Sequence, residues 1–129
     1  MRFFKISPLI SILILFTGVF PLSSAAETRV ADGYAQSGAL VNLYADKLPK
    51  LKYPRKAQRL GVEGYVEVVC DVAADGTKSD IRVLDAEPRR IFDKAAIEFV
   101  EALQINPPLL DGNEVFVRDA KLRVIFRLN

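Results

Sequence analysis

From Gly64 onward the chain alternates. Val66, Val68, Cys70 and Val72 take every second place between Tyr65, Glu67, Val69 and Asp71, the period of an extended strand with one buried face. Asp75-Gly76 is a tight-turn pair between two alternating runs. A second strand over about Lys78 to Asp85 is therefore predicted to pair antiparallel with the first, with Ile81 and Val83 inward. Pro88 ends that strand and the period lengthens. Phe92, Ala96, Phe99 and Leu103, flanked by Ala95 and Val100, recur at helical spacing, with Asp93 favourably placed in the first turn. Pro107 and Pro108 stop the helix and Asp111-Gly112 turns the chain. Ala120, Leu122, Val124, Phe126 and Leu128 then line one face of a last strand, while Lys121, Arg123 and Arg127 point away. Ahead of all this, Pro54 opens a short helix that Gly61 closes, with Ala57 and Leu60 on its inner side.

The order helix, strand, strand, helix, strand predicts an α+β domain of two layers, helices on a three-stranded antiparallel sheet. A helix joins the second strand to the third, so those two run parallel by a right-handed crossover with the first between them, sheet order 2-1-3. The last strand, about Arg118 to Leu128, is then an edge. Its unpaired N–H and C=O groups are a template for an extended peptide, with Arg118, Lys121, Arg123, Ile125 and Arg127 as the candidate partner-binding residues. The same edge permits a homodimer by strand pairing.

The first 26 residues follow a different pattern. Arg2 and Lys5 make a basic start, an apolar run follows from Leu9 to Phe20, and Pro21 precedes small residues ending in Ser24, Ala25 and Ala26. This is the layout of a secretory signal cut before Glu27. The competing reading keeps residues 1–26 as an uncleaved inner-membrane anchor; a span wants about 20 apolar residues, and Gly18, Pro21 and two serines interrupt this stretch. Residues 27–48 mix small, polar and apolar types without sustained period and read as a leader or partly ordered arm, with Ala39 to Tyr44 either a turn of helix or a short strand. The domain proper is expected over 49–129.

Charge and composition narrow the function. Export would leave sixteen basic and sixteen acidic residues, so bulk charge selects no polyanion, and nucleic acid is excluded with it. Lys47, Lys50, Lys52, Arg55, Lys56 and Arg59 nevertheless form an unbroken basic stretch around Tyr53. It reads as a solvated face or as a surface for an acidic partner or cell-wall polymer. The chain has no histidine and one cysteine, which removes Ser-His and Cys-His catalysis and the commonest transition-metal ligand. Asp71, Asp75, Asp80 and Asp85 match no calcium loop, no glycine cluster opens a helix after a strand, and Cys70 reads as a small core hydrophobe. No enzyme, cofactor or metal is expected.

In order and spacing these features resemble the C-terminal domain of the TonB energy-transducer family. The resemblance runs from Tyr53-Pro54 and Ala57 through Gly64, Asp71-Val72, Asp75-Gly76, Pro88, Phe92-Asp93-Lys94-Ala95-Ala96, Pro107 and Asp111-Gly112 to the closing Arg123-Val124-Ile125-Phe126-Arg127-Leu128. It implies the same helix-on-sheet fold. It also implies a grip on the extended TonB box of outer-membrane receptors, added as a strand beside the final β-strand. Where such domains carry a tryptophan in a basic helix end, this chain has Leu103 near Glu98 and Glu101. Family transducers have an inner-membrane anchor and a long proline-rich spacer, whereas residues 27–52 would reach at most about 90 Å fully extended. The leading expectation is therefore a periplasmic protein-binding module without inner-membrane attachment. An anchored short transducer working with inner-membrane motor proteins is the alternative, and a cell-wall-binding module using Lys50, Lys52, Tyr53 and Arg55 is a third.

Overall fold

The computed structural model describes residues 27–129; residues 1–26, where an export signal or anchor is expected, lie outside the described residues. Where the sequence suggested a leader, the chain forms a hairpin: strand β1 (Thr28–Ala35) turns at Gln36-Ser37-Gly38 and returns as β2 (Leu40–Ala45). Gly38, at φ +91°, donates its N–H to the Ala35 carbonyl, and the Ala35 N–H bonds the Ala39 carbonyl. A three-residue loop closed by a left-handed glycine is a common hairpin connection.

Helix α1 (Arg55–Leu60) follows, closed at Gly61 in the left-handed conformation, φ +69°. Strands β3 (Gly64–Val72) and β4 (Lys78–Glu87) form the expected second hairpin around Gly76. Helix α2 (Asp93–Ala102) crosses over. A minor hairpin, β5 (Leu109–Leu110) and β6 (Asn113–Glu114), turns at Asp111-Gly112, and β7 (Val117–Phe126) completes the sheet.

The sheet has five strands in the order β2-β1-β7-β3-β4, every neighbouring pair antiparallel. The expected three-stranded order survives inside it as β7-β3-β4. What the sequence reading missed is that β1 lies against β7, so the last strand is interior and not an edge. Gly33 makes this approach possible: a Cβ there would stand 2.6 Å from Val117 Cγ1 and 2.8 Å from the Arg118 carbonyl oxygen.

One core serves the whole assembly. Val66, Val68, Cys70 and Val72 of β3 face it with Ala120, Leu122, Val124 and Phe126 of β7. Phe92, Ala96, Val100 and Leu103 close it from the helix side. Phe92 stacks on Phe126 at 4.3 Å, and the Tyr53 ring meets both edge-on. The hairpin adds Ala31, Ala35, Val41, Leu43 and Ala45, each at most 4% exposed. Burying a leucine or valine contributes about 1.5–3 kcal/mol, so the hairpin is an integral layer of the domain and not an arm. Leu60 is a second correction. It was expected inside, yet it is 66% exposed while Ala57 alone anchors α1, because a six-residue helix turns only one narrow face inward.

Candidate functional site

β7 is bordered differently along its two halves. Over Val117–Lys121 it pairs with β1: Asp32 lies opposite Lys121, Tyr34 opposite Arg118 and Ala35 opposite Val117. Beyond Lys121 no residue of β1 pairs with it, although β7 continues to Phe126 in unbroken register with β3. The cause lies in β1, whose register against β2 shifts between Arg29 and Ala31. The bulge keeps Thr28 and Arg29 on β2 and lifts them off β7.

The gap is a cleft of about 240 Å³. Thr28 and Val30 form one wall, Leu122 to Ile125 of β7 the other, and Leu48, Leu51, Phe99 and Leu103 line it from the core side. Ladder alternation sets which backbone groups face it. The Ala35 to Ala39 hydrogen bond turns Ala31, Gly33 and Ala35 toward β2, hence Asp32 and Tyr34 toward β7, hence Lys121, Arg123 and Ile125 toward β1. The N–H and C=O groups of Arg123 and Ile125 therefore open into the cleft with no strand of the described residues opposite them. An entering strand finds these groups to bond, and an apolar floor for its core-directed side chains.

On the solvent face the wall is polar. The Arg123 guanidinium stands 4.0 Å from the Tyr65 ring centroid and 3.9 Å from Glu67 Oε2. The Tyr65 hydroxyl donates to Asp85 at 3.1 Å. That hydrogen bond, ahead of desolvation, raises the Tyr65 pKa above its ordinary value.

The candidate residues read from sequence divide accordingly. Arg123 and Ile125 stand on the free half of β7; Arg118 and Lys121 stand on the half that β1 covers, and Arg127 lies just past the strand, exposed. Edge pairing of two copies through the whole of β7 is excluded by the same cover. Lys50, Lys52 and Arg55 are exposed. Lys50 and Lys52 flank Leu51, which lines the cleft, while neither lysine lines it. Tyr53 serves differently: its ring packs on Phe92 and Phe126 and its hydroxyl donates to the Val62 carbonyl. Leu48, Leu51, Thr28 and Val30 escaped the sequence reading, since nothing periodic marks them. Among the described residues no group of carboxylates, cysteine and histidine is clustered to hold a metal. Burial pushes the Cys70 thiol up to about 11, which leaves it protonated and unreactive.

The family model for the C-terminal region of the Gram-negative bacterial TonB protein matches residues 49–128, a segment that begins after the hairpin. Protein TonB of Pseudomonas aeruginosa is 33% identical over 76 residues, which cover 59% of this chain and 22% of that protein. Protein TonB of Xanthomonas campestris pv. campestris is 30% identical over 92 residues, 71% of this chain and 41% of that one. The chain thus spans less than half the length of these relatives. The solution NMR structure of the P. aeruginosa TonB CTD aligns with a TM-score of 0.50 at 27% identity, covering 64% of this chain and 83% of that one. The TonB2 protein of Vibrio anguillarum aligns at a TM-score of 0.51 and 24% identity, over 95% and 98% of the two chains, a likeness of fold alone.

Proposed function

Because the chain belongs to the TonB family through its C-terminal domain, we propose that it is a protein-binding module of the cell envelope that takes an extended peptide of an outer-membrane receptor or other envelope protein along the free half of β7. A chain of this family is an energy-transducer relative and not an enzyme. One observation carries the reading: Arg123 and Ile125 turn unpaired backbone groups into a cleft floored by Leu48, Leu51 and Phe99. The peptide is a short strand, with alternate side chains falling on that floor and the others meeting Arg123 and solvent. Lys50 and Lys52, the chain neighbours of the cleft residue Leu51, favour an acidic flank on the partner.

Family membership favours a second reading, an anchored transducer driving transport through such receptors. Residue 28 already belongs to the folded hairpin, so residues 1–26, if retained in the membrane, would hold the cleft beside the inner membrane with no spacer. The mass of the protein recovered from cells separates the two, since a chain starting at Glu27 rules out the anchored form.

Peptide capture is tested at Ile125. Its N–H faces the cleft and not β3, so Ile125→Pro removes a donor for the incoming strand while sparing the internal ladder. In a titration with a receptor-derived extended peptide, Ile125→Pro is expected to weaken binding roughly tenfold and Ile125→Ala far less. A folded Ile125→Pro chain that binds normally would remove β7 as the site.

A further inference from the structure

Leu60 and Ile91 are large apolar side chains left in water, 66% and 41% exposed, and they border one groove. Pro54, Ala57 and Val62 complete its apolar lining, and Lys56 and Arg90 are its charged members. The groove holds about 300 Å³ and shares no residue with the cleft beside β7. Its surroundings are basic. Arg55 and Arg59, four apart on α1, form the stripe next to Lys56 and Leu60, and Arg89 precedes Arg90. All five cations are exposed, and none makes a salt bridge among the described residues. Of the acids nearest in the chain, Glu63 accepts the Leu128 N–H at 2.6 Å and Asp93 the Arg90 N–H at 3.2 Å, while Glu87 stands exposed at the end of β4.

We propose that this patch docks on the surface of a bilayer that carries anionic phospholipid, with the cations over the headgroups and Leu60 and Ile91 at the acyl boundary. The chemistry of the patch selects that occupant. A phospholipid surface offers diffuse negative charge, which cations on two separate segments meet without a fixed partner geometry, and beneath it lie apolar chains that take two side chains out of water. A peptide helix, about 10 Å across, is too wide to enter a groove of this volume, whereas a few methylene groups fit.

The topology gives the patch a place as well as a chemistry. Thr28 pairs with Ala45, Phe126 with Gly64 and Tyr65 with Glu87, and β1 runs antiparallel to β7. The start of β1, the end of β7, the start of β3 and the end of β4 therefore share one end of the sheet. α1 leads into that end through residues 61–63, and Pro88 to Ile91 leave it. The apolar run Leu9 to Phe20 joins the domain there too, ahead of Thr28. A chain still held by that run brings this patch to the bilayer, and a released chain returns to it reversibly. Docking gives Leu60 the apolar surroundings that its side chain suits.

The chain has no tryptophan, so Leu60→Trp gives the full chain a single reporter inside the patch, and Ile91→Trp gives a second. With vesicles of phosphatidylglycerol in phosphatidylcholine, the emission is expected to shift to the blue and to lose access to a water-soluble quencher. Salt near about 1 M, where the screening length is about 3 Å, should reverse most of both effects, and phosphatidylcholine alone should produce neither. Lys56→Gln with Arg90→Gln in the reporter chain is expected to raise the lipid needed for half the shift at least roughly tenfold. Arg118→Gln with Lys121→Gln, on the covered half of β7, should change it less than about twofold. Thermal melting checks that each variant folds. A retained anchor would enter both kinds of vesicle alike, so the difference between them reads the patch. Unchanged emission at both positions, an equal shift on both vesicles, or a Lys56→Gln, Arg90→Gln chain that docks like the native one would each overturn the proposal. So would an acidic amphipathic peptide that shifts the reporter where vesicles do not, since that result gives the patch to a protein partner.

Discussion

β7 is one strand with two fates. Among the described residues its first half, Val117–Lys121, is closed on both sides by β3 and β1, and its second half, Leu122–Phe126, is closed by β3 alone. The free half alternates strictly between buried and exposed side chains, whereas the covered half breaks the alternation once, at Arg118-Asp119, where Asp119 takes φ +52° and the register shifts against both neighbours. Both halves nevertheless bury apolar residues on one face, so hydrophobicity alone does not say which half is covered. The difference comes from a neighbour: Gly33 lets β1 come close at one end, and a bulge near Val30 takes it away at the other. An open edge in this fold is thus not a missing strand but a strand made to end its pairing early.

Removing the anchor of the covering hairpin should break the contrast most. Leu43 is fully buried, and Leu43→Ala is expected to cost about 3 kcal/mol, read as a lower denaturant midpoint. Gly33→Ala attacks the close approach directly. The added methyl meets Val117 and the backbone of Arg118 and Ala120 within 3 Å, so a loss of about 2 kcal/mol is expected, with faster amide exchange along the covered half. Ile125→Pro acts on the free half and should spare stability while lowering affinity, which makes it the complement of the first two.

A thiol reports the same contrast. Cys70 lies opposite Ala120, behind the covered half, and should resist alkylation in the native chain yet label faster in Gly33→Ala. Its pKa is raised by burial from 9.0 to about 11. The unfolded chain therefore releases this proton first, so the stability held by the neutral thiol is full below pH 9 and is lost as pH rises through about 11. Cys70→Ala should flatten an alkaline denaturation profile over that window. The smallest effect is expected at Arg123→Ala, which removes an exposed guanidinium from the Tyr65 face. About 0.5 kcal/mol of stability should go with it, measurable by a double-mutant cycle with Tyr65→Leu.

β3, β4, α2 and β7 were legible because large apolar residues mark their buried faces, as Val66, Val68, Phe92 and Phe126 do. The N-terminal hairpin inverts that code. Its inward positions in β1 are Ala31, Gly33 and Ala35, small because the neighbouring backbone is close, while Tyr34, Leu40 and Tyr44 lie outside. A period read from hydrophobicity sees nothing there, and Ser37-Gly38 alone was too slight a turn signal. The site was half legible for the same reason. The solvent face of β7 gave Arg123 and Ile125, but which of its halves is free depends on the register of a strand the sequence did not reveal. Leu48 and Leu51 sit in a connection with no period to betray them.

Thr28 stands both at the start of the folded domain and at the mouth of the cleft. Any tension entering through the N-terminal side of the chain thus arrives first at the wall that borders the peptide. From there it runs along β1, whose bonds to β2 and β7 lie across the line of pull. If the chain ahead of Thr28 were held while a peptide occupied the cleft, such a ladder would be loaded in shear, many bonds at once, instead of being unzipped one by one.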